Sequence, residues 1–201
     1  MPHDHHHKFN PDNLARLDDP SRRAALPPER LADALGLSPG ERVADVGTGA
    51  GYWLFALLDA APDDVRFWAV DTEPLMLHTL KVRLADHARR DDVTLVQSDE
   101  GEVPLDDGVL DVVTMGMVYH ELADRRGYLS ELARLLAPGG RLAVVDWDLL
   151  PPGVERTMGP PEAERVPFAV ARDELLAAGF DPITPVPGFA PGVWAVVARR
   201  G

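Results

Sequence analysis

The 201-residue sequence has no cysteine. That excludes disulfides, thiolate metal sites, iron–sulfur clusters and thiol nucleophiles together. Basic residues are also scarce, 20 Lys and Arg against 33 Asp and Glu, for a formal net charge of −13. A nucleic-acid-coating surface needs clustered cations, so no nucleic-acid partner is expected. The same deficit speaks against an anionic membrane surface. No apolar run approaches the ~20 residues of a membrane span. Residues 1–10 are polar and lack the apolar core of a signal peptide. The expectation is a cytoplasmic protein, monomeric or homodimeric, with a small molecule as its partner.

What is present is a chain that is 45% apolar and long enough for one domain with a real core. Its 19 prolines cluster before residue 40 and after residue 150, around a regular centre. Residues 1–27 read as a polar, His-containing segment and 28–201 as the domain. A short helix over 28–36 has Pro in its first turn and Gly at its end. Then strands alternate with helices. Strands are predicted at 42–46, 65–70, 93–96, 110–115 and 141–147. Helices are predicted at 52–60, 74–88, 125–137 and 172–178. Two late strands, 182–186 and 192–199, leave no room for a helix between them. The pattern predicts a doubly wound α/β fold, its mostly parallel sheet ending in a hairpin with one reversed strand.

The strongest local signal is Asp45-Val46-Gly47-Thr48-Gly49-Ala50-Gly51, between the first strand and the first helix after it. Glycines at alternate positions let the backbone turn sharply and approach a ligand. The helix start behind them offers free N–H groups to an anionic group. The dinucleotide fingerprint G-x-G-x-x-G is not met, because the third Gly arrives one residue early and Tyr52 holds its place. The second strand ends in Asp71, where a carboxylate can accept both ribose hydroxyls. The third is followed by Ser98-Asp99-Glu100, where a carboxylate can accept an adenine amine. Three acids at successive strand ends beside a glycine loop point to a nucleoside-containing ligand.

These residues resemble the class I, Rossmann-like S-adenosylmethionine-dependent methyltransferases. The resemblance rests on the glycine motif, Asp71, Asp99 with Val103-Pro104-Leu105, Leu110-Asp111-Val112-Val113 through Val118-Tyr119-His120-Glu121, and Leu135-Leu136-Ala137-Pro138-Gly139-Gly140. It implies a seven-stranded sheet and S-adenosylmethionine as cofactor, with S-adenosylhomocysteine as product. Asp45, Gly47, Thr48, Gly49 and Gly51 would form the cofactor loop. Asp71 with Thr72 would hold the ribose; Ser98, Asp99 and Glu100 would face the adenine, with Met76 packed on it. Met115 and Gly116 would line the floor near the sulfonium. The resemblance is nearest to the small-molecule branch related to quinone-biosynthesis and metalloid methyltransferases. Asp18-Asp19-Pro20-Ser21-Arg22 and Met158-Gly159-Pro160-Pro161 match motifs of one subgroup. Arsenite methylation of the familiar kind needs cysteine ligands and is set aside.

Methyl transfer needs alignment and exclusion of water, and a base only where the acceptor must lose a proton. His120, Tyr119 and Asp146 are the catalytic candidates. His120 is the best base, since its intrinsic pKa lies near neutrality. His7, Phe9, Trp147 and Met158 are candidate substrate contacts. His3, His5, His6 and His7 can be read as a solvated tail, a lid or a metal site; no metal ligand set is assigned. Two other functions compete: an NAD(P)-dependent oxidoreductase on a Rossmann sheet, and a non-catalytic cofactor-binding regulator.

Overall fold

The computed structural model describes residues 19–201. The stretch 42–71 builds the first parallel pair, β1 (Arg42–Val46) beside β2 (Arg66–Asp71). β2 carries β3 (Val93–Gln97) on its outer side, and β1 carries β4 (Leu110–Gly116) on its inner side. β4 pairs in parallel with β5 (Leu136–Trp147). β6 (Phe180–Pro185) and β7 (Val193–Arg200) form the terminal hairpin. β7 runs antiparallel to both β5 and β6, giving the order β3-β2-β1-β4-β5-β7-β6. The expected seven-stranded sheet with one reversed strand is the sheet observed.

The helices are α1 (Pro20–Ala25), α2 (Pro28–Leu35), α3 (Tyr52–Ala60), α4 (Pro74–Leu84), α5 (Arg125–Leu135) and α6 (Phe168–Ala177). Alternation along each strand divides the core in two. One half gathers Leu31 and Leu35 of α2, Leu54 and Leu57 of α3 and Leu80 of α4 over Val43, Phe67 and Val112. The other gathers Leu129 and Leu132 of α5 and Leu175 of α6 over Ala44, Val113 and Met115. Central strands are covered on both faces, as a parallel sheet requires. The edge strands β3 and β6 are more exposed.

Three boundaries differ from the sequence reading by four or five residues, and one helix was not expected. α4 stops at Leu84 rather than reaching residue 88. The chain turns there to bring Arg89 inward, where its guanidinium collects the carbonyls of Leu58, Ala61 and Val65. β5 begins at Leu136, not 141, because Leu136 pairs with Leu110 across a register shift. α6 begins at Phe168, four residues early, with Pro167 as its N-cap. α1 was not expected at all; the Asp19 side chain caps it by accepting from Ser21 N at 2.8 Å. Behind it Leu26 is fully buried, and its carbonyl accepts from the Tyr52 hydroxyl at 2.7 Å.

Candidate active site

A cavity of about 920 Å³ opens along the carboxyl ends of β1, β2, β3, β4 and β5. Crevices at this edge are where open α/β sheets bind ligands. At one end lie Gly47, Thr48, Gly49, Asp71, Thr72, Met76, Ser98, Asp99 and Glu100. At the other lie Gly116, His120, Glu121, Trp147 and Met158. The structure therefore brings most of the expected residues to one space.

At the first end, the turn after β1 is held by Gly47 N and Thr48 N, which both donate to Val70 O. Gly47 has φ +67, and a Cβ there would fall 2.3 Å from Val118 Cγ2. At Gly49 no atom lies within 4 Å of where a Cβ would sit, so this backbone is open. Gly51 has a different task from the one expected. It does not line the cavity; it is the N-cap of α3, tight against Leu80 and Phe55. Asp71 uses both carboxylate oxygens on backbone: Oδ2 accepts from Gly49 N at 2.8 Å and Oδ1 from Glu73 N at 2.9 Å. Burial, reinforced by the charge of Glu73, raises its pKa against the pull of those N–H groups. Asp45 sits beneath the loop, 1% exposed and off the cavity wall. It accepts from the Thr114 hydroxyl at 2.7 Å, and burial pushes its pKa up to about 6. Met115 is likewise turned away from the cavity. The period of two along β4 sends it with Val113 into the core under α5 and α6.

At the second end, His120 lies in a short 3-10 turn just after β4, and Asp146 is the penultimate residue of β5. His120 Nδ1 and Asp146 Oδ1 are 2.8 Å apart. Asp146 Oδ2 also accepts from His120 N at 3.2 Å, and Oδ1 from Trp147 N at 2.6 Å. Burial works to lower the His120 pKa. The hydrogen bond and charge of Asp146, with the charges of Glu121 and Glu164, outweigh it and raise the value. A carboxylate accepting from Nδ1–H leaves Nε2 as the imidazole's free lone pair. Tyr119 goes the other way. Its ring is fully buried and its hydroxyl donates to Glu174 Oε2 at 2.5 Å, so it does not reach the cavity. Successive residues of a 3-10 turn point about 120° apart, which separates Tyr119 from His120.

Residues 44–144, just over half of the chain, match the family model described as a methyltransferase domain. A crystal structure of a SAM-dependent methyltransferase from Aquifex aeolicus superposes with TM-score 0.82 at 30% identity, covering 96% of this chain and all of that one. The chain belongs to the S-adenosylmethionine-dependent methyltransferase family. The oxidoreductase alternative is thereby displaced. Curated relatives of this methyltransferase chain include a 27-O-demethylrifamycin SV methyltransferase from Amycolatopsis mediterranei, 32% identical over 146 residues, 73% of this chain and 52% of that protein. A demethylmenaquinone methyltransferase from Beutenbergia cavernae is 35% identical over 130 residues, 65% of this chain and 48% of that protein. The chain spans about half the length of the curated relatives it matches.

One residue beside the cavity, Arg165, gave no signal in the sequence. Arg165 is 5% exposed and donates to the carbonyls of Met158 at 2.9 Å, Asp148 at 3.0 Å, Pro160 at 3.1 Å and Gly192 at 3.3 Å. Its guanidinium also lies 5.2 Å from the Trp147 ring centroid. It ties the Met158-Gly159-Pro160 wall to the ends of β5 and β7. Gly159, at φ +80, presses on the same indole; a Cβ there would fall 2.7 Å from two ring carbons. Trp147 lines the cavity but carries this wall on its ring. Arg22 of α1 lies 4.2 Å from the Tyr52 ring centroid, and both line the cavity. His7 and Phe9 lie outside the described residues. Among the described residues no helix is long and apolar enough to cross a membrane.

Proposed function

We propose that the chain transfers a methyl group from S-adenosylmethionine to a small-molecule acceptor, with His120 as general base and Asp146 holding it and stabilising the imidazolium that forms. The observation that carries this reading is the 2.8 Å His120–Asp146 contact on the wall shared with Asp71 and the glycine loop. The residues fit the cofactor: an open backbone at Gly49, a carboxylate at Asp71, and an α3 start with neither a side-chain cap nor an acid in its first turn. Gly47, Thr48, Gly49, Asp71, Thr72, Met76, Ser98, Asp99, Glu100 and Gly116 would hold it. S-adenosylmethionine supplies a methyl already activated for displacement. The chain's own work is to align, to exclude water and to take a proton at His120 Nε2. An acceptor that must lose a proton, a hydroxyl or an activated ring carbon, suits that pair. Two relatives carry the names of a 27-O-demethylrifamycin SV and a demethylmenaquinone methyltransferase, which supports a small-molecule acceptor.

The same reading takes residues 1–27 as a cover over a domain of 28–201, working in the cytoplasm as monomer or homodimer. Support comes from α1, whose residues Asp19, Ser21 and Arg22 line the cavity mouth. His7 and Phe9 would then contact acceptor. The test is labelled S-adenosylmethionine with a panel of hydroquinones and phenols, using the full chain and a chain lacking residues 1–18. Expected are transfer by the full chain, and near-normal S-adenosylhomocysteine binding with transfer reduced ~100-fold in the shortened one. Full activity without residues 1–18 would discard the cover. No transfer to any acceptor despite cofactor binding would favour a non-catalytic binding protein.

A further inference from the structure

Met117, directly after β4, is the one non-glycine among the described residues with a positive φ, +62. L side chains rarely adopt this conformation, and it persists only where the surroundings over-determine it. Here the Met117 N–H is fixed on Val145 O at 2.8 Å. The chain then distributes its side chains three ways. Met117 packs in the core half of α2–α4, Tyr119 in the half of α5 and α6, and His120 stands on the cavity wall.

His120 to Asp124 all line the cavity, and the two residues that bracket them are bound to one carboxylate. The Tyr119 hydroxyl donates to Glu174 Oε2 at 2.5 Å. Arg125 donates to the same oxygen from Nε at 2.9 Å, and to Oε1 from Nη2 at 3.0 Å. Glu174 stands on α6 and is 7% exposed. The Trp194 ring meets the Tyr119 ring edge-on, centroids 5.7 Å apart. Burying an ion pair costs desolvation, and apolar groups of similar volume are often as stable. What the carboxylate adds is direction, because its charge-assisted bonds fix the angle of each donor. The wall 120–124 is thus a loop closed at Glu174, with its cavity side held by the His120–Asp146 contact. We propose that Glu174 is a positioning residue: by holding Tyr119 and Arg125 together it sets this wall and keeps His120 against Asp146. The inference rests on the reading of His120 as the base.

Tyr119→Phe tests it, because it releases one end of the wall and leaves Glu174 its two bonds from Arg125. NMR follows the titration of the His120 ring, whose signals are identified by their loss in His120→Ala. Burial lowers that pKa, and the carboxylates of Asp146 on β5, Glu121 on the same turn and Glu164 on the 162–164 turn raise it. A released wall moves the ring from Asp146, so the midpoint should fall by about half a unit or more. Transfer is then measured with labelled S-adenosylmethionine and the panel of hydroquinones and phenols. Tyr119→Phe should lower kcat about tenfold or more with KM little changed, as expected when alignment is lost. In a His120→Ala background the same change should cost less than about twofold, because a residue that acts through His120 has nothing left to position. S-adenosylhomocysteine affinity within about twofold of wild type shows that the variant is folded. Equal loss in both backgrounds, with the titration unmoved, would mean that the Tyr119–Glu174 bond only supports the core. An unchanged titration and rate would mean that it sets nothing at His120. Either result overturns the proposal. Wild-type transfer by His120→Ala would overturn the base reading instead, and the titration, which needs no acceptor, would still decide whether the bond to Glu174 places the ring.

Discussion

At the β1–β3 end of the cavity, the groups that matter come from short contiguous stretches, and backbone N–H groups arrange them. The loop 47–51 follows β1 directly, and its Gly49 N–H fastens Asp71, 22 residues on. At the β4–β5 end, side chains are arranged by other side chains and by distant carbonyls. His120 depends on Asp146, and the wall at Met158 depends on Arg165, which also reaches Gly192, 27 residues beyond it. A glycine loop tolerates little variation, because positive φ and close approach leave no choice of residue. A wall held by one guanidinium can change its lining while keeping its anchor. The first end suits a fixed cofactor, the second an acceptor that differs among relatives.

That contrast is broken most severely at His120. His120→Ala should cut transfer by ~10²–10⁴-fold, the range for a general base, and leave S-adenosylhomocysteine affinity within about twofold. Wild-type transfer should rise with pH through a midpoint above the ordinary imidazole value, since only the neutral ring accepts a proton. Stability runs the other way. A folded-state pKa raised above the unfolded value stabilises the fold fully below that unfolded value. The gain is lost as pH rises through the raised value. A rate and a melting temperature moving together with pH would sink the assignment.

A smaller effect is expected at Arg165. Arg165→Ala takes a donor from the carbonyls of Met158, Asp148, Pro160 and Gly192, of which Gly192 O keeps Asp148 N, and frees the Met158 wall. Transfer should fall up to ~10²-fold as alignment is lost, with cofactor affinity unchanged. Amide exchange should accelerate across residues 156–160 while β1–β3 stay protected. Uniform acceleration through the sheet would show that Arg165 supports the whole fold rather than one wall.

The smallest change sharpens the other end. Asp71→Ala should weaken S-adenosylhomocysteine by at least ~tenfold, about 1.4 kcal/mol. Asp71→Asn keeps an oxygen for one backbone N–H and should lose less. Equal losses would mean that the charge, and not the fastening of Gly49, sets affinity there.

The sheet and the β1–β3 end of the cavity were legible for one reason: both are written in local pattern. Strand–helix alternation fixed the order of elements, and the missing helix between residues 186 and 192 fixed the reversed strand. Glycine spacing and acids at strand ends marked the loop, Asp71 and Asp99. What escaped needed three dimensions. Tyr119 and His120 are neighbours in sequence, yet one meets Glu174 of α6 and the other, on the cavity wall, meets Asp146. Met115 looked like floor, but only its phase along β4 decides its face. Arg165 stands between an acidic loop and an apolar helix with no motif around it.

The reversed strand has a consequence for the order in which the site is made. β1, β2 and β3 pair with one another using residues up to 97 alone. β4 then joins β1, and β5 joins β4. β5 is closed on its far side only by β7, which pairs Trp147 with Val193. On a ribosome, where chains emerge from the N-terminus, the β1–β3 end of the cavity can form first. The His120–Asp146 contact waits for residue 146, and the anchoring of the Met158 wall for residue 192. A chain with only residues up to about 150 free of the ribosome would hold β1–β5 paired and no wall, and the last fifty residues supply both the Met158 wall and its anchor.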